Sequence, residues 1–113
     1  MHELSIVMSI IETSLDEMHT AGSNAVLEVE LEIGELSGID MLAFDFAWNE
    51  AIKNTPLQHA TLHIIKPKGT AICLDCDHSF VTESIVNNCP KCKSAVTYIS
   101  KGKELKIKSL VVA

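Results

Sequence analysis

Four cysteines arranged in two identical short motifs constrain this chain more than any other feature. Cys73 and Cys76 are separated by two residues, Cys89 and Cys92 likewise, and twelve residues lie between the pairs. A Cys-x-x-Cys segment turns tightly enough to direct two thiolates at one ion, and four thiolates fill the tetrahedral shell of Zn²⁺. Because no position remains for water or substrate, the spacing predicts a structural zinc site rather than a catalytic one.

Other interpretations of this segment stay open at this stage. Iron in a rubredoxin-like site also uses Cys-Pro-x-Cys, the order found from Cys89 to Cys92. A thioredoxin-like redox pair is disfavoured because neither motif opens a helix after a strand. His78 could replace one cysteine as a ligand, although an exposed loop histidine is the simpler interpretation.

The apolar periodicity predicts the elements around the cysteine segment. Apolar residues recur with helical spacing over 4–18 and again over 41–52, which indicates two amphipathic helices. Strands are predicted at 25–33, 60–66 and 104–112. In the first strand glutamates alternate with apolar residues, so one face should be buried and an acidic face should lie in water.

Two finer expectations follow from local patterns. Ser37 and Asp40 form an S-x-x-D pattern that resembles a capping box at the start of the second helix. In the last strand, Lys106 and Lys108 could lie opposite the glutamate row across a sheet. That row consists of Glu28, Glu30 and Glu32.

The cysteines also define the expected domain organisation. Residues 69–101 contain all four cysteines and are too few to form a core without a staple. Residues 1–68 and 102–113 would form a discontinuous domain of two helices on a small three-stranded sheet. The predicted fold class is therefore α+β, with an inserted four-cysteine zinc-ribbon domain.

Charge and motif content exclude several classes of function. The chain carries 9 Lys plus Arg against 15 Asp plus Glu, and this acidic balance argues against a nucleic-acid or anionic-membrane binder. The cysteine segment is neutral, so a ribbon that binds nucleic acid is not supported either. We find no Ser-His-Asp order, glycine-rich phosphate loop or open metal site with a general base, and expect a protein that is not an enzyme. No apolar run approaches membrane-spanning length, and the first residues lack a cationic leader pattern, so we expect a cytoplasmic protein.

The first three residues have a chemistry of their own. A free α-amine at Met1, the deprotonated amide of His2 and its Nδ1 can form fused chelate rings around one metal. The amide or carboxylate of Glu3 could supply a fourth ligand, and four planar nitrogens suit Ni²⁺ or Cu²⁺. The alternative is a solvated terminal histidine.

Three sequence segments together resemble the HypA/HybF family over essentially the whole chain. They are Met-His-Glu-Leu-Ser at 1–5, Gly-Glu-Leu-Ser-Gly-Ile-Asp at 34–40, and the paired Cys-x-x-Cys motifs. Members are nickel metallochaperones for [NiFe]-hydrogenase maturation and, in some bacteria, for urease. The resemblance implies a nickel domain of two helices on a small sheet, with a zinc domain inserted before the last strand.

The resemblance also implies roles for individual residues. The essential nickel ligand of the family matches His2, the following ligand matches Glu3, and an aspartate near that terminus matches Asp40, for which a cap role is an equal explanation. The zinc ligands match the four cysteines, Cys73, Cys76, Cys89 and Cys92. Asp77 departs from the pattern, since glycine often follows the second cysteine in relatives, and this could alter the turn.

Partners follow from the resemblance as well. Family members act with a HypB-type GTPase and dock on the [NiFe]-hydrogenase large-subunit precursor, and some serve urease accessory proteins. Neither nucleic acid nor membrane is expected as a partner. The sequence leaves open whether the client is hydrogenase or urease, and whether the chain is a monomer or a homodimer.

Overall fold

The computed structural model describes residues 2–113 and contains two helices and two small sheets among them. The helices are α1 (Glu3–Thr20) and α2 (Met41–Ala51). The strands are β1 (Val26–Ile33), β2 (Thr61–Ile65), β3 (Thr70–Cys73), β4 (Ser79–Val81), β5 (Thr97–Lys101) and β6 (Leu105–Val112). The predicted α+β class, both helices and the three predicted strands are confirmed. No helix within 2–113 has the length and apolarity needed to cross a membrane.

The chain divides into two compact units. The first comprises 1–31, 39–64 and 107–113, and the second comprises 32–38 and 65–106. The domain bounds expected at 68/69 and 101/102 stay a prediction. One sheet has the strand order β2-β1-β6, and the other has the order β4-β3-β5.

The core of the first unit is formed by α1, β1, α2 and the turn that follows α2. Phe44 and Trp48 are buried one helical turn apart on α2, with ring centroids at 6.3 Å. Their role as core residues is as expected from the helical pattern. The remaining fully or nearly fully buried apolar residues are Val7, Ile11, Met18, Val26, Val29, Leu31 and Leu57. Leu27, expected on the buried face of β1, is half exposed, and Val26 is buried instead.

Charged side chains of β1 contact side chains of its two neighbouring strands, in part as expected. Glu32 lies 3.3 Å from Lys106, which confirms that part of the pairing between β1 and β6. The placement of Lys108 opposite this row stays a prediction; Glu30 accepts a hydrogen bond from the Ser109 hydroxyl, and Glu28 contacts His63 of β2 at 3.0 Å. Cross-strand contacts of this kind are individually weak at exposed positions.

The start of α2 differs from the expected capping box. Asp40 itself is the N-cap, and its Oδ1 accepts hydrogen bonds from the N–H groups of Leu42 and Ala43. Gly38 has a φ of 80°, a left-handed conformation that cannot continue a right-handed helix. The helix therefore begins after this glycine, and Ser37 lies in the preceding turn instead of at the cap.

The second unit is a three-stranded antiparallel sheet with β3 at its centre. Ala71 faces Phe80 of β4 and Ile99 of β5. The segment after β1 and the segment between β5 and β6 meet at glycines: a Cβ at Gly34 would lie 2.1 Å from the carbonyl oxygen of Gly102. Only glycine permits this close approach of two backbones.

Two phenylalanines of α2 give a test of this packing. We expect Phe44→Ala to lower the free energy of unfolding by about 3–5 kcal/mol, because it leaves a cavity in the core. Phe46→Ala is the matched control and should change it by less than about 0.5 kcal/mol, since Phe46 is exposed. Urea denaturation of both variants measures the difference, and equal losses would contradict the packing of α2.

Candidate metal sites

The four cysteine sulfurs converge in the second unit. Cys73 Sγ lies 3.5 Å from Cys92 Sγ, Cys76 Sγ lies 3.7 Å from Cys89 Sγ, and all four lie within 4.8 Å of one another. Four sulfurs held about 2.3 Å from a tetrahedral metal would be about 3.8 Å apart. The arrangement therefore fits one tetrahedral ion of the Zn²⁺ or iron type.

Both Cys-x-x-Cys segments adopt the same turn. In the first, the Cys73 carbonyl accepts from the Asp77 N–H at 2.9 Å, and the Cys73 N–H donates to the His78 carbonyl at 2.9 Å. In the second, Cys89 makes the same two bonds with Lys93 and Ser94, each at 2.8 Å. The turn folds the backbone over its first cysteine, so the local sequence aims both sulfurs of a pair in one direction.

The fifth residue of each turn has a left-handed backbone. The φ angle is 63° at Asp77 and 68° at Lys93. Aspartate tolerates this region better than most side chains, while lysine is strained there. The departure at Asp77 therefore leaves the expected turn in place, because the geometry needs only a residue that accepts positive φ.

Burial and backbone hydrogen bonds set the acidity of the thiols. Burial opposes ionisation of Cys89, but the N–H groups of Cys92 and Lys91 donate to its Sγ and lower its pKa to about 7. At Cys92 the Ser94 N–H favours the thiolate, yet the neighbouring Cys73 thiol and burial outweigh it and raise the pKa to about 12. The pKa of Cys76 is also raised: the His78 N–H favours its thiolate, but burial and the nearby thiols prevail. Crowding thus resists loss of all four protons unless a cation compensates the charge.

Other interpretations of the cysteines can be tested against this geometry. A disulfide needs sulfurs about 2.05 Å apart, so the observed separations exclude one in this structure. The residues that follow Cys73 and Cys89 form turns, not the helix start of a thioredoxin-like pair. His78 stacks on Phe80 and is outside the cysteine cluster, so it does not serve as a fifth candidate ligand.

The residues predicted for a nickel site meet at the start of α1. His2 is the N-cap of this helix, is exposed, and makes no side-chain capping hydrogen bond within 2–113. The Glu3 carboxylate accepts a hydrogen bond from the Asp40 N–H, with Oε2 and N 3.1 Å apart. This N–H lowers the pKa of Glu3. The contact brings the N-termini of α1 and α2 together, although the two residues are 37 positions apart. Met1, the fourth predicted residue, lies outside the described residues.

The backbone N–H groups at the start of α1 lie outside the hydrogen-bonded ladder of the helix. The first four N–H groups of an α-helix have no acceptor within the helix. The N–H groups of His2 and Glu3 belong to this set, so their deprotonation would break no bond of the helical ladder. The positive end of the helix dipole also favours negative charge there. The local geometry is thus compatible with amide-nitrogen ligation.

The sequence pattern did not reveal the Glu3–Asp40 hydrogen bond, because no local signal links positions so far apart. The nearest indication was the family resemblance, which implied an aspartate near the N-terminus and matched it to Asp40. A groove of about 440 Å³ lies between α1 and β6, but of the residues within 2–113 that line it only Glu17 is ionisable, so it offers no set of metal ligands.

Comparison with known proteins gives consistent matches. A family model described as "HypA: Hydrogenase/urease nickel incorporation, metallochaperone, hypA" matches residues 1–112. The hydrogenase maturation factor HypA of Parabacteroides distasonis is 41% identical over 114 residues, covering 99% of this chain and 97% of the relative. The factor of the same name from Rhodobacter capsulatus is 36% identical, with 99% of each chain covered. The solution structure of the Ni metallochaperone HypA from Helicobacter pylori superposes with a TM-score of 0.70 at 29% identity, covering 99% of this chain and 97% of that one.

The two strained turn positions give a prediction. Lys93→Gly should raise the free energy of unfolding by about 0.5–1 kcal/mol, because glycine relieves the left-handed strain. Asp77→Gly should have a smaller effect, since aspartate tolerates the same φ. Lys91→Gly is the control, because Lys91 has no positive φ. Urea denaturation at a fixed zinc concentration compares the three, and a destabilised Lys93→Gly variant would contradict the assigned turn.

Proposed function

The chain belongs to the HypA family, and on that premise we propose that it is a nickel metallochaperone that binds Ni²⁺ at its N-terminus and delivers it for [NiFe]-hydrogenase maturation. The hydrogen bond between Glu3 and Asp40 is the observation that carries this proposal. It gathers three of the four predicted nickel residues around one helix start. The descriptions of the matched family and of the related proteins supply the metal and the client.

The proposed ligands are those of a planar chelate. His2 contributes Nδ1 and its amide nitrogen, Glu3 contributes its amide nitrogen, and Met1 contributes the α-amine. Two deprotonated amides would neutralise the charge of one Ni²⁺, and nitrogen donors in a plane suit this ion. Asp40 is the weakest member of the set, because its Oδ1 already accepts two backbone hydrogen bonds as the cap of α2.

Delivery needs no covalent step. His2 is exposed, so a partner can approach the coordination shell and remove the ion by ligand exchange. The same donors bind Cu²⁺ more tightly than Ni²⁺, according to the Irving–Williams order. Selectivity must therefore come from metal supply and from contacts with the partner, and no enzymatic activity is part of the proposal.

We assign the cysteine cluster to one structural Zn²⁺. Four thiolates satisfy the tetrahedral shell of Zn²⁺ and leave no open position. Among the described residues of the second unit, the buried side chains are Cys73, Cys89, the small Ala71 and one large apolar residue, Ile33, so apolar packing there is limited. Bound zinc would supply the cross-link that so small a sheet needs in place of a large core.

The proposed partners are a HypB-type GTPase and the [NiFe]-hydrogenase large-subunit precursor, acting in the cytoplasm. Urease accessory proteins are a second client class, which the family description supports by naming urease. Neither nucleic acid nor membrane is proposed as a partner.

Replacing the second residue tests the nickel site. His2→Ala should abolish stoichiometric nickel binding, because the chelate loses its imidazole nitrogen. The variant should retain one zinc per chain. Isothermal titration calorimetry with Ni²⁺ and metal analysis of untagged protein measure both quantities. A chain with one extra residue before Met1 should bind nickel more weakly, since the α-amine is displaced. Unchanged nickel stoichiometry in His2→Ala would refute the site.

Two substitutions separate ligation by Asp40 from its structural role. Asp40→Asn preserves the cap of α2 and removes the carboxylate charge, whereas Asp40→Ala also costs about 1 kcal/mol of stability. If the carboxylate supports nickel, both variants should bind Ni²⁺ about tenfold more weakly. Thermal unfolding and nickel titration of the pair provide the data. Wild-type nickel affinity in Asp40→Asn would assign Asp40 to capping alone.

A further inference from the structure

Large apolar side chains are unusually exposed on the two helices of the first unit. The exposed fraction is 84% for Leu42, 72% for Phe46, 58% for Leu4 and 50% for Met8. Leu42 and Phe46 lie one turn apart on α2, and Leu4 and Met8 lie one turn apart on α1. We call these four residues the helix patch. Contiguous exposed apolar surface of this kind marks an interaction site more often than single exposed residues do.

A groove runs beside the helix patch. It has a volume of about 370 Å³ and is lined by Leu4 and Phe46 together with the small side chains of Ala43 and Ala47. Glu3 and Glu50 also line it. Small residues between larger apolar ones leave room for inserted side chains, as in grooves that accept amphipathic helices. Glu3 is also a proposed nickel residue, so an occupant of the groove would lie next to the metal.

The charge of the first unit selects the chemistry of the occupant. This unit contains nine carboxylates and two lysines, for a formal net charge of −7, whereas the second unit contains six carboxylates and seven lysines. A second copy would bring −7 against −7, and an anionic membrane would be repelled for the same reason. Positive charge on the occupant would be attracted instead.

We propose that the helix patch and its groove dock a cationic amphipathic helix of the protein that exchanges nickel with this chain. Apolar residues one turn apart on that helix would enter the groove, and flanking Lys or Arg residues would face the lining carboxylates Glu3 and Glu50. Glu50 also contacts Lys53 at 2.8 Å, an exposed pair that a partner cation could replace. The proposal rests on the proposed function, because docking here places the partner beside His2 and Glu3. Exchange of nickel between the two proteins would then need no movement of the ion through solvent.

Binding measurements on patch variants test the docking site. The wild-type chain, Leu42→Ser, Phe46→Ser and Glu50→Lys are titrated separately into purified HypB-type GTPase and hydrogenase large-subunit precursor. Val86→Ser is the matched control, since Val86 is 85% exposed and lies in the second unit. We expect the three patch variants to bind at least one of these proteins about tenfold or more weakly, as for an interface hot spot. Val86→Ser should match wild type, and the wild-type affinity should fall with added salt.

Nickel titration of the same variants separates this proposal from the proposed function. All three should bind nickel as wild type does, because none of the replaced residues is a proposed ligand. If the wild-type chain itself binds no nickel, the proposed metallochaperone function is refuted. The docking site is refuted if the patch variants bind both proteins like Val86→Ser, or if wild type binds neither. It is also refuted if light scattering shows a wild-type dimer that Phe46→Ser converts to monomer, since a second copy would then cover the patch.

Discussion

The second unit depends on one physical constraint: its four cysteine sulfur atoms lie within 4.8 Å of one another. Thiolates so close repel each other. In addition, hydrogen bonds with the neighbouring thiols and burial raise the pKa values of Cys76 and Cys92. A divalent cation bound there would convert the repulsion into attraction and join the two cysteine segments. The second unit would then need no large apolar core, which its short strands do not provide.

In the first unit, the feature that matters for the proposed function is the place where the two helices begin. Both of its helices begin at the same place, and the Glu3 carboxylate accepts the N–H of Asp40, which itself caps α2. Helix N-termini offer unpaired amide groups and positive dipole ends, so they favour anionic groups. Under the proposed function the amide nitrogens of His2 and Glu3 at this place become metal ligands. The softness of the two donor sets then separates the metals, because thiolates retain zinc while nitrogen donors suit nickel.

Charge and apolar exposure are unevenly distributed between the units. The acidic first unit carries the proposed nickel residues and the helix patch, and the second unit has nearly balanced charge. A metal carrier must hold its cargo and also be recognised by the protein that takes it. Placing an exposed Phe46 and an acidic groove beside Glu3 would serve both needs on one surface.

Local periodicity in the sequence determined both helices, the three strands of the first sheet and the convergence of Cys73 to Cys92 on one site, because each depends on spacing within a short segment. The tertiary structure alone decided which apolar residues face outwards, as Leu27 and Phe46 illustrate. It also decided that the ion pair between β1 and β6 joins Lys106 to Glu32. The Glu3–Asp40 bond belongs to this second group, since contacts across 37 residues depend on how elements pack and leave no local trace in the sequence.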